Sequence, residues 1–577
     1  MWIFFVEFII YNNINLNNYN EKEWKLMIAI GLLIMLVLNI IYAAYNLKKR
    51  MDVWNTIAVF CMVAFSIVLL FRLGTIPTVF IDEGNGMYDS WSLAKYGVDS
   101  NLISNPIYLQ SFAGQGQSIL YARLAGTFLK YLGYSVYAYR LPLVLVSVTS
   151  VILLFNVLNA FYVKSKSVFF SIMVFCTSPW LIMVSRFGMD CNISPFMVLI
   201  GTLLLLLSTR LRVGGSRLII GLLGTFILGL TAYSYNVGWM YLLIFIPSVF
   251  LLLYLSKNIS IKELLLYIPI LFIELVPIMI FAIRSNISGL NKTTHIFAWT
   301  YPKLLSSRAS ESMISFDGNI LHNIVKNISN GVHMFLNNSD GLPWNSIPGI
   351  GAYYPIMLPF LVIGILVSLH RRNLIDKLLI LGCISTIPII LVVTPNYNHW
   401  IFIHFIVLSF ITVGINEISI NRKIQIAIIL SYGILFLNFS SIYFKQRNIA
   451  VGQYDVNLIK TIKKLRTKNY KKVYFDTTDS QFLMMIRDLI PVSPYEYQAT
   501  KDNPNSKKIL TVNSKFENYQ MIDSNNVNQS IEKNSLVLID VKKDTGNFAR
   551  NKKLKKVGQN KINSETYNIY VTNVIND

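Results

Sequence analysis

Charge is what this sequence has least of. Of 577 residues only 14% are Asp, Glu, Lys or Arg and 54% are hydrophobic, whereas a soluble globular chain carries about a quarter charged residues. An ordinary soluble domain is thereby excluded in favour of a polytopic membrane protein. Cysteine is nearly absent too. The 4 cysteines, Cys61, Cys176, Cys191 and Cys383, lie in or at the edge of apolar runs, without the spacing of a disulfide framework or thiolate metal site. Glycine-rich nucleotide loops of the Walker or Rossmann kind are missing, which excludes a built-in ATP or dinucleotide site. The start, Met1-Trp2-Ile3-Phe4-Phe5, has no basic n-region and no small-residue cleavage site. Residues 1–25 are therefore expected at the membrane interface or outside, not as a cleaved signal.

Acidic residues are also outnumbered, and the formal net charge is +22. The lysines and arginines gather in short loops and the tail, a distribution that fits membrane topology and anionic lipid surfaces better than nucleic acid. Apolar runs about the length a bilayer needs fall at 26–45, 53–72, 141–162, 167–184, 194–209, 218–236, 239–255, 264–283, 353–369, 377–394, 400–418 and 423–443, about twelve in all. Lys48-Lys49-Arg50, Lys164/Lys166, Arg210/Arg212/Arg217, Lys257/Lys262, Arg371-Arg372/Lys377 and Arg422-Lys423 all fall on one side of that alternation. Basic loops stay cytoplasmic. The loops 73–140 and 284–352, and everything after 444, are thus expected to face outward.

Two domains follow: a transmembrane domain, 1–443, and a soluble extracytoplasmic domain, 444–577. The tail is polar and lysine-rich. It carries strand-like runs at 472–476, 509–512 and 535–540, helical periodicity at 455–468 and 480–490, and a closing hairpin across 553–573. That alternation predicts a small α/β domain, its basic face solvated or held against anionic headgroups or an anionic wall polymer.

The polar residues worth a chemical reading sit on the outward side. Ile81-Asp82-Glu83-Gly84-Asn85-Gly86-Met87-Tyr88-Asp89 follows directly on a membrane span, where carboxylates are costly to desolvate and usually functional. Gly84 and Gly86 read as loop glycines that let a ligand approach the backbone. The plainer alternative is that Asp82 only caps a short helix over 87–96 ended by Gly97. The connection Ser185-Arg186-Phe187-Gly188-Met189-Asp190-Cys191-Asn192 holds a second acid, which a salt bridge to Arg186 would neutralise. The later loop carries His295, His322 and His333 without compact ligand spacing, and a turn-rich close from Asp340 to Gly349.

ATP and nucleotide sugars are absent outside a bacterial membrane, so an outward-facing membrane enzyme must receive its activated group through the lipid. A sugar on a polyprenyl phosphate meets that need. Its phosphate leaving group wants cations or a metal, and the acceptor hydroxyl wants a base that one carboxylate supplies. Asp82 or Glu83 as base, with Arg186 and other outer-loop cations near the phosphate, satisfies both, and a single displacement inverts the anomeric centre.

The Asp82-Glu83 pair, the run Tyr88 to Asp99, Tyr139-Arg140-Leu141-Pro142, the segment Ser185 to Asn192 and the turn Asp340 to Asn345 together resemble the GT-C glycosyltransferases of the protein O-mannosyltransferase and aminoarabinose transferase superfamily, bacterial family-39-like, over about the first 440 residues. The resemblance implies a mainly α helical bundle and a lipid-linked sugar donor. It places the catalytic acids at Asp82, with Glu83 beside it, and at Asp190. The donor phosphate falls to Arg186, Lys95, Arg123 and Arg140, and substrate contacts to Tyr88, Asp89, His295 and Asp340. No cofactor is certain; some members use a divalent metal, for which Glu83 is the candidate ligand. No inserted trefoil domain is seen, so a cell-envelope glycan or lipid acceptor stands beside a protein one. Two alternatives stay open: a transporter or flippase of lipid-linked glycans, for which Glu274 between Pro269 and Pro277 is the main mid-span charge, and an envelope polysaccharide polymerase.

Overall fold

A computed structural model describes residues 21–49, 52–111, 114–162, 164–287, 289–305, 312–316, 318–342, 344–347, 349–419, 421–445, 470–477, 482–500, 514–526, 528–562 and 565–572. The expected outward start at 1–20, the helical run 455–468 and the strand at 509–512 lie outside the described residues.

Every apolar run read from the sequence carries a helix. Among the described residues ten helices are long and apolar enough to cross a membrane, from Ile30–Lys49 to Arg422–Lys445. The run at 167–184 is instead a pair, Ser165–Thr177 and Pro179–Ser185, bent by 58°. Ser178 caps the second half and Pro179 opens it, which places the proline where its missing N–H costs least. The run at 353–369 holds the shorter apolar helix Met357–Arg371.

Burial sorts these helices into centre and rim. Val136–Phe161 is 83% buried, whereas Val53–Leu70 is 28% and Arg422–Lys445 is 22% buried. The rim helices leave Val53, Phe60, Ile67, Leu430 and Leu437 exposed, a surface suited to lipid. Between the first span and Val136–Phe161, Asn156 donates to Asn39 and accepts from Asn46, so these three amides satisfy one another.

The connections after Leu70, Ser185, Tyr233, Asn286 and Val392 meet at the end of the bundle opposite the basic loops. Among them are the helices Ile81–Tyr96, Ile119–Leu132 and Ile320–Leu336 and the hairpin β1 (Thr294–Ile296) and β2 (Trp299–Tyr301). The C-terminal domain sits on this same end. Its sheet comprises β3 (Lys472–Asp476), β4 (Lys515–Phe516), β5 (Tyr519–Ile522), β6 (Ser535–Asp540), β7 (Leu554–Ile562) and β8 (Glu565–Thr572), in the order β4-β5-β3-β6-β8-β7. β3 runs parallel to β5 and β6, and β7 and β8 close as an antiparallel hairpin. The helix Phe482–Leu489 lies between this sheet and the membrane domain, and Val79 and Ile81 join the sheet's own apolar core.

Candidate active site

The acidic stretch is a helix, not a glycine loop. Ile81–Tyr96 is helical from Ile81 on, and Gly97 at φ 75° ends it. Asp82 and Glu83 fall in its first turn, where the partial positive charge of the helix N-terminus favours carboxylates. Gly84, Asn85 and Gly86 are poor helix formers, so this turn is held from outside. At Gly86 a Cβ would lie 2.6 Å from Tyr139 Oη and 3.1 Å from Gln117 Nε2. The glycine serves close packing of side chains against the helix, not the approach of a ligand.

Glu83 is the first of those restraints. Its carboxylate takes a two-pronged bond from Arg140, Nε to Oε1 and Nη2 to Oε2, both at 2.6 Å. Gly188 N–H adds a third at 2.7 Å. Arg140 Nη1 donates to the carbonyls of Leu73 at 3.0 Å and Pro77 at 2.9 Å. Both residues are almost wholly buried, a setting in which removing one partner strands the other's charge. Arg140, expected at the donor phosphate, is therefore committed to a carboxylate. Glu83 does not fit a metal either, because Arg140 and Gly188 occupy its oxygens. Among the described residues no group of three His, Cys, Asp or Glu is arranged to hold a metal ion.

Asp82, by contrast, is only half-buried. Of the adjacent acids it is the more exposed.

Arg186 is buried and spends its four Nη hydrogens on carbonyls: Val68 at 2.6 Å and Leu69 at 2.5 Å from Nη1, Phe71 at 2.8 Å and Ile76 at 2.9 Å from Nη2. These are the orphan acceptors of the helix end at Leu70 and the turn after it. The guanidinium also faces the rings of Phe444 at 5.0 Å and Tyr443 at 5.6 Å. It works as a cap for the preceding span, in place of the phosphate ligand or the partner of Asp190 expected from the sequence. Asp190 opens a short 3-10 turn, and its carboxylate accepts Ser118 N–H and Cys191 N–H, each at 2.9 Å.

The segment bearing Asp190 lines one narrow cleft of about 10 Å³ through Phe187 and Asn192, and neither Asp82 nor Asp190 itself lines it. Trp180, Phe187, Trp344 and Tyr397 supply aromatic walls, and Asn192, Asn345 and Asn398 supply amides. Phe80, two residues before Asp82, stacks on Trp344 with ring centres 4.5 Å apart. Asn192 stands two residues after Asp190. Asp340 builds the wall from behind, accepting from Leu342 N–H, Asn345 Nδ2 and Tyr397 N–H at 3.0, 2.7 and 2.9 Å.

The other expected residues lie elsewhere on the same end. Arg123 donates to Asn105 Oδ1 at 2.7 Å and to Pro106 carbonyl at 3.2 Å, and lies over the Trp299 ring. It pins the loop that hairpin β1–β2 docks on. His295, on that hairpin, is exposed and bonds Thr300 through Nδ1. Lys95 is exposed over Trp91 at 4.9 Å. Tyr88 and Asp89 face the C-terminal domain: Tyr88 Oη donates to Val492 carbonyl, and Arg487 sits 4.0 Å from the Tyr88 ring centre. Asp89 receives Asn85 Nδ2 at 3.0 Å and Ser100 N–H at 2.8 Å. Burial raises the Asp89 pKa, and burial together with the Asp89 charge pushes Asp99 up to about 8.

Arg487 was missed, and Arg284 was counted only among the cations of the later outer loop. Arg487 had no signal in a lysine-rich tail. Arg284, a basic residue at the end of Ile261–Asn286, is half-buried beside Tyr301, and its Nε has no hydrogen-bond partner among the described residues. A lone arginine closing a span was the available sign.

No protein-family model and no curated protein sequence matches the chain. Among solved structures, ArnT from Cupriavidus metallidurans bound to undecaprenyl phosphate aligns over 90% of this chain and 98% of its own, at TM-score 0.51 and 9% identity. An oligosaccharyltransferase from Archaeoglobus fulgidus, in complex with Zn and sulfate, aligns over 89% of this chain and 73% of its own, at TM-score 0.47 and 10% identity. Helical bundle and appended sheet domain together, the chain has the GT-C fold of membrane glycosyltransferases.

Proposed function

We propose that this chain is a membrane glycosyltransferase that moves a sugar from a polyprenyl-phosphate carrier to an acceptor on the extracytoplasmic side, with Asp82 taking the acceptor's proton. The observation that carries this reading is the division of labour in the acidic pair. Glu83 and Arg140 lock the helix to the 185–193 segment, and Asp82, in the same turn, stays only half-buried. Aromatic faces and amides suit a sugar ring, since pockets orient ligands with apolar walls and a few placed polar groups. Asp190 is a second acid on the same end of the bundle, held by backbone N–H groups. One base and a departing phosphate make a single displacement, which inverts the anomeric centre.

For the phosphate we propose Arg284 ahead of the arginines expected from sequence. Arg140 and the Nη groups of Arg186 are committed to other acceptors; among the described residues Arg284 Nε, like Arg186 Nε, is buried without a partner, and Arg284 is the more exposed of the two side chains, at the rim of the loop-rich end. Outward placement follows from the basic loops on the opposite end, and the acceptor is an envelope glycan, lipid or protein. A divalent metal is not assigned to Glu83.

The test is discharge of a radiolabelled polyprenyl-phosphate sugar by purified protein, with wild type beside Asp82→Asn. The variant should lose about 10²–10⁴-fold in rate while lipid binding persists. Undiminished discharge by Asp82→Asn removes that residue from the chemistry. Transport of intact donor without discharge would favour the flippase alternative.

A further inference from the structure

We propose that Arg487 of the C-terminal domain is a positioning residue for the helix that carries Asp82, so that this domain is a working part of the site and not an appendage. The proposal rests on the glycosyltransferase reading only for what Asp82 does once held; the mechanical claim stands on geometry.

Arg487 is 2% exposed. A buried guanidinium needs both a counter-charge and partners for its remaining donors. The counter-charge is its own neighbour: Nη2 and Nε donate to Asp488 Oδ1 at 2.6 and 2.9 Å. The pair is thus neutral within the domain. Nη2 nonetheless also donates to Asn85 Oδ1 at 3.0 Å, across the boundary between the two domains, and the guanidinium lies over Tyr88 at 4.0 Å and Tyr497 at 4.8 Å.

From Asn85 the bonds continue in a closed circuit. Asn85 Nδ2 donates to Asp89, and Asp89 receives Ser100 N–H. Ser100 carbonyl accepts from Gln498 Nε2, back on the C-terminal domain. Tyr134 Oη donates to Asp488 carbonyl at 2.6 Å and closes a second strap.

Asn85 stands three residues after Asp82, on the same helix face, between Gly84 and Gly86. Each of those glycines weakens a helix relative to alanine. Asp82 therefore sits in a turn whose own residues do not favour it. Arg140 fixes that turn through Glu83 on the membrane-domain side, and Arg487 fixes it through Asn85 on the other. Removing the second hold lets the first two turns fray and Asp82 lose its place.

The experiment compares full-length wild type, Arg487→Met, Arg487→Lys and Asn85→Ala in detergent, by amide hydrogen exchange over residues 81–92 and by donor-discharge kinetics. Arg487→Met should raise exchange in that window at least tenfold, and lower kcat at least tenfold with the KM for donor unchanged. Arg487→Lys, which keeps the charge over Tyr88, should recover part of both. If Arg487→Met does not fold, Asn85→Ala answers the same question, because it leaves the Arg487–Asp488 pair intact. Unchanged exchange in a folded variant overturns the proposal, and so does equal loss of kcat with no rescue by lysine. If wild type discharges no donor, the glycosyltransferase reading fails, while the exchange data still decide whether Arg487 holds the helix.

Discussion

The span Val53–Leu70 and the helix Ile81–Tyr96 are near neighbours in sequence and opposites in construction. The span is apolar almost throughout and only 28% buried, with Val53, Phe60 and Ile67 facing outward. In a bilayer its backbone bonds are its main requirement, and any lipid will cover the rest. The acidic helix buries nearly every side chain, although Glu83, Asn85, Asp89, Ser90 and Ser92 are polar. It is helical because named groups elsewhere hold it: Arg140, Gly188, Arg487 and Ser100. One element is stabilised by its surroundings in bulk, the other by particular partners.

Breaking that contrast should produce unequal effects. The largest belongs to Arg140→Ala, which strands Glu83 in a dry site; loss of a buried ion-pair partner costs about 3–5 kcal/mol. The thermal midpoint in detergent should collapse, and Arg140→Met combined with Glu83→Gln should restore much of it. Equal stability of the single and double variants would show that the pair is not what holds the helix.

A middle-sized effect concerns the carboxyl pair behind the helix. Asp99 titrates at about 8 in the fold against an ordinary value of 3.8, through burial and the nearby Asp89. The folded state holds that proton more tightly, so its contribution is full below the ordinary value and is lost as pH rises toward 8. Arg487, the cation facing Asp89, moderates the rise without reversing it. Wild-type stability should decline between pH 5 and pH 8 in unfolding scans, and Asp99→Asn should flatten that decline. A variant as pH-sensitive as wild type would refute this assignment.

The smallest effect is expected on the lipid face. Phe60→Leu should change stability by no more than about 0.5 kcal/mol, because a leucine meets the same apolar surroundings. A large loss there would mean that a protein partner, not lipid, covers this face.

The same contrast decides what could be read in the sequence. Apolar runs state their own environment, so the span at 53–72 and its eleven companions were legible, as was the side on which basic loops gather. Met357–Arg371 is short and Ser165–Ser185 is bent, yet both lie where hydropathy put them. The helix over 87–96 and its end at Gly97 are legible as one of the two readings of this stretch, but its first turn reads as loop because Gly84 and Gly86 do speak for a loop, and the helicity there is held by residues as far as 402 positions away. Which acid of the pair is buried depends on Arg140, 57 positions on. Arg186 was given to a phosphate because nothing local announces that four carbonyls wait for it. The solvated-lysine reading of the tail missed that one arginine there is sealed inside the molecule.

The separation of 402 positions between Asn85 and Arg487 carries a consequence for biosynthesis. A ribosome delivers the acidic stretch first and its second holder only after the described spans have been made. A nascent chain that has not reached Arg487 therefore presents this end unassembled, and the molecule should switch on only once the sheet domain has folded against it.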